Sequence, residues 1–332
     1  MYEETNWMPK IRNLGSIDMV EDIRFEDFHV EFPGKDGTAT VANHISVTFE
    51  KGKITGLIGE SGSGKSILGM SILRLLPGSA KVHGHCYYGD EDLFLVDMKR
   101  MRQIRGKEIA VIPQNPSEAL NPIRKIGNQL TEALLEHHLL QKKPAQERVS
   151  QILSCFGFQE ANEIMSKYSF EMSGGMNQRV ISVLGLACKP NWLIADEPTK
   201  GLDAIVRNQV LDVLKKAAKE TTGSMLVITH DLKLAERLCD NICVLYAGNI
   251  LEQGKGKEIF EEPKHPYTQG LFLSMPDRGM HPIKGYASER NGAINRCPFA
   301  ERCSYKMDIC EAEFPPEISI SETRKVRCFL YA

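Results

Sequence analysis

Residues Gly59 to Ser66 read Gly-Glu-Ser-Gly-Ser-Gly-Lys-Ser and directly follow an apolar run containing Ile54, Leu57 and Ile58. An apolar strand entering a loop of small residues, with an apolar-periodic helix beyond, leaves few folds open. The backbone must wrap tightly, its N–H groups point inward, and the helix that follows presents its positive end, so the turn is an anion cradle. The pattern G-x-x-x-x-G-K-[ST] is complete. Gly59, Glu60, Ser61, Gly62, Ser63 and Gly64 are therefore read as the wrap around a nucleoside triphosphate, Lys65 as the cation reaching its β- and γ-phosphates, and Ser66 as a Mg²⁺ ligand.

The 332 residues give room for about two domains. A formal net charge of −2 argues against a polyelectrolyte partner. The basic run Lys99, Arg100, Arg102, Arg105 and Lys107 is read as a solvated helix face, and nucleic acid is not an expected partner. The start at Met1, Tyr2, Glu3 and Glu4 is acidic and lacks the basic and apolar regions of a signal peptide, and no run is long enough to span a bilayer. A cytosolic chain that is not itself a channel is expected. Thiols there stay reduced, so the nine cysteines are not read as a disulfide framework.

The pattern predicts an α/β fold. Residues from about 21 to 58 alternate apolar and polar positions around Pro33-Gly34 and Asp36-Gly37, which predicts antiparallel strands leading into the phosphate loop. The helix after the loop carries Ile67, Leu68, Ile72, Leu75 and Leu76 and is expected to end at Pro77-Gly78. From about 115 to 182 the spacing of Leu130, Leu134, Leu135, Leu139, Val149, Ile152 and Leu153 predicts a helical insertion. Trp192 to Ala195 and Met225 to Ile228 are continuous apolar runs, which suit strands of a parallel sheet buried on both faces. A last hairpin is expected from Ile242 to Gln253, turning at Ala247-Gly248-Asn249. Beyond about residue 263, Pro, His, Cys and charge mark a separate small element.

Sheets of this kind deliver functional groups at the carboxyl ends of their strands, where Asp196, Glu197 and His230 fall, and the three are expected to converge on the phosphate loop. Asp196 suits the Mg²⁺-water shell, and Glu197 could polarise an attacking water.

With the phosphate loop, four further motifs carry a resemblance: Met172-Ser173-Gly174-Gly175-Met176-Asn177-Gln178-Arg179, Asp196-Glu197-Pro198-Thr199, Gly201-Leu202-Asp203 and Ile228-Thr229-His230-Asp231. In order and separation they resemble the nucleotide-binding subunit of an ABC transporter, from about residue 22 to the end. The resemblance implies a P-loop NTPase core with an antiparallel β subdomain and an inserted α-helical subdomain, a nucleotide-binding domain over residues 20–262, and an extension over 263–332. It implies ATP hydrolysis in a head-to-tail dimer, each ATP held between the phosphate loop of one copy and Ser173, Gly174 and Gly175 of the other. It assigns Gln114 to sensing Mg²⁺ and water, His230 to the γ-phosphate, Asp203 to communication across the dimer and Phe32 to stacking on adenine. Met172, Met176, Lys200 and Pro113 depart from the commonest pattern and leave the catalytic set intact.

Three segments resemble the oligopeptide, dipeptide and nickel uptake ATPases in particular: Asn115 to Pro122, Pro263-Lys264-His265-Pro266-Tyr267-Thr268, and the terminal cysteines. That subgroup implies two membrane permeases, a second ATP-binding subunit that is a related but different chain, an extracytoplasmic substrate-binding protein, and a peripheral place on the cytoplasmic face of the plasma membrane. Cys86, Cys155, Cys188, Cys239 and Cys243 are read as small buried hydrophobes. Cys297, Cys303, Cys310 and Cys328, with five, six and seventeen residues between them, suggest a structural metal centre in a segment too small for its own core. The resemblance points to a four-iron, four-sulfur cluster; zinc and free thiols are the alternatives. The rival functions are a soluble ABC ATPase acting on ribosomes or DNA, and a regulatory subunit with a metal-sensing tail. A single nucleotide domain, with no long coiled coil between Lys65 and Ser173, counts against the first, and the intact Glu197 and His230 count against the second.

Overall fold

The computed structural model describes residues 20–34, 37–219, 223–285 and 295–332. Asp36 of the first expected turn and the acidic start at Met1, Tyr2, Glu3 and Glu4 lie outside the described residues. The described chain divides into two compact units, one of residues 97–225 and one that joins residues 21–96 to 226–332.

In the second of these, β1 (Ile23–Gly34), β2 (Gly37–Phe49), β4 (Lys81–Tyr88) and β5 (Glu91–Asp92) form an antiparallel sheet in the order β2-β1-β4-β5. Register shifts between Phe25 and Phe28 let two aromatics three positions apart both face inward. Their ring centroids lie 4.8 Å apart, and Phe49 packs edge-on to Phe25. A second sheet runs β11-β12-β10-β9-β3-β8, with β3 (Ile54–Ile58), β8 (Ser224–Thr229), β9 (Asn241–Tyr246), β10 (Asn249–Lys255), β11 (Glu317–Ser321) and β12 (Arg324–Arg327). Every residue of β3 and β8 is buried, as continuous apolar runs in central strands require. β3 and β9 are parallel, from Thr55 opposite Asn241 to Ile58 opposite Val244. The hairpin between β9 and β10 turns on Ala247 (φ 44) and Gly248 (φ 78), both left-handed, as a two-residue primed turn demands.

The helix after the phosphate loop, α1 (Lys65–Ile72), ends earlier than its apolar spacing suggests. Arg74 takes φ 53, Leu75 donates back to the Met70 carbonyl at 3.0 Å and Arg74 to Ser71 at 2.9 Å, a closing pattern that stops the helix before Leu75 and Pro77. The Arg74 side chain is held by the Val96 carbonyl at 2.8 Å, which supports this conformation on a residue other than glycine.

The segment beyond residue 263 is not a separate element. It adds β11 and β12 to the sheet, and with α9 (Leu232–Leu238), α10 (Gly256–Glu261), α11 (Pro266–Leu273) and α12 (Asp308–Ala312) it shares one core with the central strands. That core joins Ile58, Val244 and Tyr246 to Tyr267, Phe272, Cys297, Phe299 and Cys310. A segment this short stabilises itself by completing a neighbour's core, since it cannot bury enough surface alone.

In the other unit, β6 (Ile109–Ile112) and β7 (Trp192–Asp196) pair in parallel, Ile109 opposite Trp192 and Ile112 opposite Ala195. Around them lie α2 (Met98–Ile104), α3 (Pro116–Ala119), α4 (Ile126–Glu136), α5 (Lys142–Cys155), α6 (Ala161–Ser166), α7 (Gly174–Leu186) and α8 (Ala204–Ala217). α7 lies close on the strands: a Cβ on Gly185 would meet Ile112 at 2.8 Å and Leu193 at 3.3 Å. Lys99, Arg102 and Lys107 are solvated as expected, whereas Arg100 grips the buried Glu108 with two bonds of 2.5 and 3.0 Å. Among the described residues no helix is long and apolar enough to cross a membrane.

Candidate active site

The phosphate loop is shaped by what stands behind it. Gly59 (φ 148), Gly62 (φ 79) and Gly64 (φ 107) are all left-handed. A Cβ at Gly59 would lie 2.1 Å from the Leu245 carbonyl oxygen, and one at Gly64 would lie 2.6 Å from that of Val41. Neither backbone oxygen can retreat, so the pattern's first and last glycines are fixed by sterics as well as by torsion. The turn between β9 and β10 supports the loop directly, with the Gly248 N–H donating to the Ser63 carbonyl at 2.9 Å. Lys65 is buried and donates from Nζ to the carbonyls of Gly59 at 2.9 Å and Glu60 at 2.8 Å. Its charge is thus held over the mouth of a turn of backbone amides. Ser66 is half-buried in the first turn of α1, whose N-cap Gly64 has no side-chain cap, so the donor set suits a triphosphate and its Mg²⁺.

Residues far along the chain hold Glu60. Its N–H donates to the Tyr267 hydroxyl at 2.9 Å, and its carboxylate accepts two bonds from Arg302, at 2.9 and 3.0 Å. Arg302 also donates to the Tyr246 hydroxyl at 3.3 Å and lies over the Tyr246 and Phe299 rings. Burial alone would lower the basicity of this guanidinium, but the bonds to Glu60 and Tyr246 raise it above the ordinary arginine value. Burial pushes the Tyr267 phenol well up, so it stays neutral. Tyr267 is placed by a buried network: Glu252 on β10 accepts the N–H groups of Lys264 at 2.9 Å and His265 at 3.0 Å and pairs with Arg324 at 2.5 Å, while the His265 ring accepts the Tyr267 N–H at 2.9 Å. Sequence reasoning took Tyr267 as part of a motif and missed Arg302, Glu252 and Arg324. Phe32 is half-buried on β1 opposite Ala39, and His230 is exposed just after β8, before the Asp231 cap of α9.

In the other unit, β7 ends at Asp196, which is 2 % exposed, and Glu197 follows at φ 47, a left-handed conformation uncommon for a residue with a side chain. Glu197 is buried, and its carbonyl accepts from the Lys200 N–H at 3.0 Å, closing the turn through Pro198 and Thr199. α7, which opens on the signature motif Ser173-Gly174-Gly175, is tied to this turn, because its Gln178 donates to the Pro198 carbonyl at 3.3 Å. Ser173 caps α7 by accepting from Met176 at 3.2 Å, leaving Gly174 open to solvent with nothing within 4 Å of its missing Cβ. Gln114 is exposed between β6 and α3, where Pro113, lacking an N–H, ends the pairing with β7. Asp203 caps α8, its carboxylate accepting from Ile205 and Val206 at 3.0 Å each.

The cysteines separate by environment. Burial raises the thiols of Cys86, Cys155, Cys188, Cys239 and Cys243, the last to about 12; Cys86, Cys188 and Cys243 are buried as expected, whereas Cys155 and Cys239 are half-buried. Cys297 is also pushed up to about 12, first by burial and then by its neighbours Cys310, Cys328 and Cys303. Among the described residues no three His, Cys, Asp or Glu side chains form a group that could hold a metal ion. Beyond the proximity of these thiols, the described arrangement thus gives no support of its own to the metal centre expected at Cys297, Cys303, Cys310 and Cys328, and Cys297 and Cys310 share a core with Phe299 and Tyr267.

Residues 42–200 match the family model described as ABC transporter, and residues 251–310 match the oligopeptide/dipeptide transporter C-terminal region. The chain is 38% identical over 319 residues to the dipeptide transport ATP-binding protein DppD of Bacillus subtilis, covering 94% of this chain and 95% of that one. This chain belongs to the ABC transporter ATP-binding proteins. The oligopeptide transport ATP-binding protein AppD of Bacillus subtilis is 39% identical over 90% of this ABC protein and 91% of its own length. The dimeric cassette MJ0796 in a post-hydrolysis state with ADP and phosphate superposes with a TM-score of 0.64 at 22% identity, over 70% of this chain and 98% of that one, and it shares the fold. The protein is an ATPase of the ABC class.

Proposed function

We propose that this ABC ATPase powers uptake of dipeptides or oligopeptides through separate permease subunits. The observation that carries the reading is that the match extends past the cassette into the peptide-transporter C-terminal region, over nearly the whole length of relatives named for dipeptide and oligopeptide transport. Uptake of nickel or metal chelates, the other branch of the subgroup, has no such support. In the proposed cycle the loop Gly59 to Ser66 binds ATP, with Lys65 on the β- and γ-phosphates and Phe32 against adenine. Ser66, Asp196 and Gln114 hold Mg²⁺ and its waters, Glu197 polarises the attacking water and His230 steadies the γ-phosphate. Ser173, Gly174 and Gly175 complete the site of a second ATP-binding subunit, a related but different chain, and Asp203 carries communication between the two. The exposed, capped N-terminus of α7 supports the signature role, since a helix start favours an anion. The cassette is assigned to residues 20–262, with its helical subdomain over about 115–182, and the protein to the cytoplasmic face of the plasma membrane as a peripheral subunit.

The finer reading of the four terminal cysteines, a structural four-iron, four-sulfur cluster with zinc as the alternative, is supported only by their mutual proximity. Iron, sulfide and zinc analysis of the purified protein decides it, one cluster or one zinc per chain being the supporting results. The transport reading is tested by affinity purification from gently solubilised native membranes with mass spectrometry of every stoichiometric partner. Two multi-span permeases and a second ATPase are expected, together with an extracytoplasmic binding protein. Recovery with ribosomal or DNA-associated proteins alone overturns it.

A further inference from the structure

We infer that Arg302 is a positioning residue for the phosphate loop, which sets the affinity for ATP by holding and neutralising Glu60. This makes the C-terminal segment part of the nucleotide site, and it rests on the ATPase reading above.

Glu60 occupies a position that the phosphate-loop pattern leaves free, yet it is the loop residue gripped from outside on both its backbone and its side chain. Its carbonyl also accepts from Lys65 at 2.8 Å, so a shift of Glu60 moves the lysine that would meet the phosphates. Its carboxylate brings negative charge to a loop built to receive a polyanion. A lone carboxylate there repels ATP. Paired in a fork with Arg302, whose side chain is 6 % exposed, it does not. Arg302 in turn cannot drift, because two aromatic rings and the Tyr246 hydroxyl fix it. One residue thus orients the loop and cancels an adverse charge, and 242 positions of sequence separate it from its partner.

In Arg302→Ala the loop loses its brace and Glu60 is left unpaired. In the double variant Arg302→Ala with Glu60→Gln the brace is still gone but the adverse charge is removed. If the arginine only supported the fold, the second change would restore nothing.

The test is equilibrium binding of ATP and ADP to the full-length chain, read with a fluorescent nucleotide and by competition, at low and high salt. Arg302→Ala is expected to weaken ATP about tenfold and ADP less, with the gap narrowing at high salt as screening shortens the reach of the charge. Adding Glu60→Gln is expected to return ATP affinity to within about threefold of the starting protein. Arg302→Gln, which keeps hydrogen-bonding capacity but not charge, is expected to behave as Arg302→Ala does and stands in for it if that variant does not fold. An unchanged ATP affinity in the folded single variants overturns the inference, and so does a loss that Glu60→Gln fails to reverse. A starting protein that binds no ATP would instead overturn the ATPase reading itself.

Discussion

Replacing Glu252 by glutamine removes one charge and one acceptor where no water can take their place. The side chain is fully buried; Oε1 serves both Arg324 Nη2 at 2.5 Å and the Lys264 N–H at 2.9 Å, and Oε2 serves the His265 N–H at 3.0 Å. A glutamine keeps one oxygen and turns an amide donor toward another donor, so at least one buried N–H loses its partner, at about 1–3 kcal/mol. The Arg324 side chain, 5 % exposed, loses its counter-charge as well, and breaking a buried pair from one side costs about 3–5 kcal/mol. These terms share atoms, and Arg324 keeps its bonds to the carbonyls of Glu258 and Glu262, so the total is set near 4 kcal/mol rather than their sum. That is a large part of the roughly 5–15 kcal/mol by which folded domains outweigh their unfolded chains. At about 2–4 °C per kcal/mol, the melting transition read by circular dichroism should fall by roughly 8–16 °C. Adding Arg324→Met, which removes the stranded charge, should recover about half of the loss. A fall of less than about 2 °C in a protein with an unchanged spectrum would show that the carboxylate does not organise residues 264 to 267.

Glu197→Gln should slow ATP hydrolysis by at least about 10²-fold while ATP is still bound, in a single-turnover assay; normal turnover would remove Glu197 as the base. Burial lowers the His265 imidazole to about 3 from its ordinary 6.5, so between those values the unfolded chain takes up a proton that the folded one refuses. Stability should therefore be full above pH 6.5 and drop as pH falls, by about 1.4 kcal/mol at pH 5.5 from this group alone. His265→Asn keeps an acceptor for the Tyr267 N–H, and urea titrations at pH 7.5 and 5.5 should show that difference removed; an unaltered pH dependence would contradict the assignment. Ala247 sits at φ 44 in the β9–β10 turn, so Ala247→Gly should stabilise by about 0.5–1 kcal/mol in the same titration, and a loss of stability would show that the turn is not strained.

Local chemistry made the phosphate loop legible: glycine, lysine and serine at fixed spacing encode a turn that only those residues can form. Strands β7 and β8 were legible because unbroken apolar runs have few other destinations, and the β9–β10 turn was legible because Gly248 punctuates it. The early end of α1 was not, because it depends on Arg74 accepting a left-handed conformation with its side chain held by a carbonyl at Val96. Nor was the tail's place in the central sheet, since β12 finds its partner β10 only after the chain has folded back across some 70 residues. The bracing of Glu60 by Arg302 is the extreme case: a salt bridge has no periodicity, and neither residue is unusual within its own segment. The core role of Cys297 and Cys310 was not legible either, since four thiol residues in a short polar tail point to metal ligation and nothing local in the sequence shows that two of them pack into the central core.

ATP-driven uptake of a labelled dipeptide or oligopeptide library, by vesicles reconstituted with this ATPase and the permeases, second ATPase and binding protein proposed for it, tests most directly whether the protein drives peptide import. ATP-dependent accumulation of peptide, abolished by Glu197→Gln, is the predicted result; ATP hydrolysis with no peptide accumulated would leave the enzyme standing and contradict its role as the motor of peptide import.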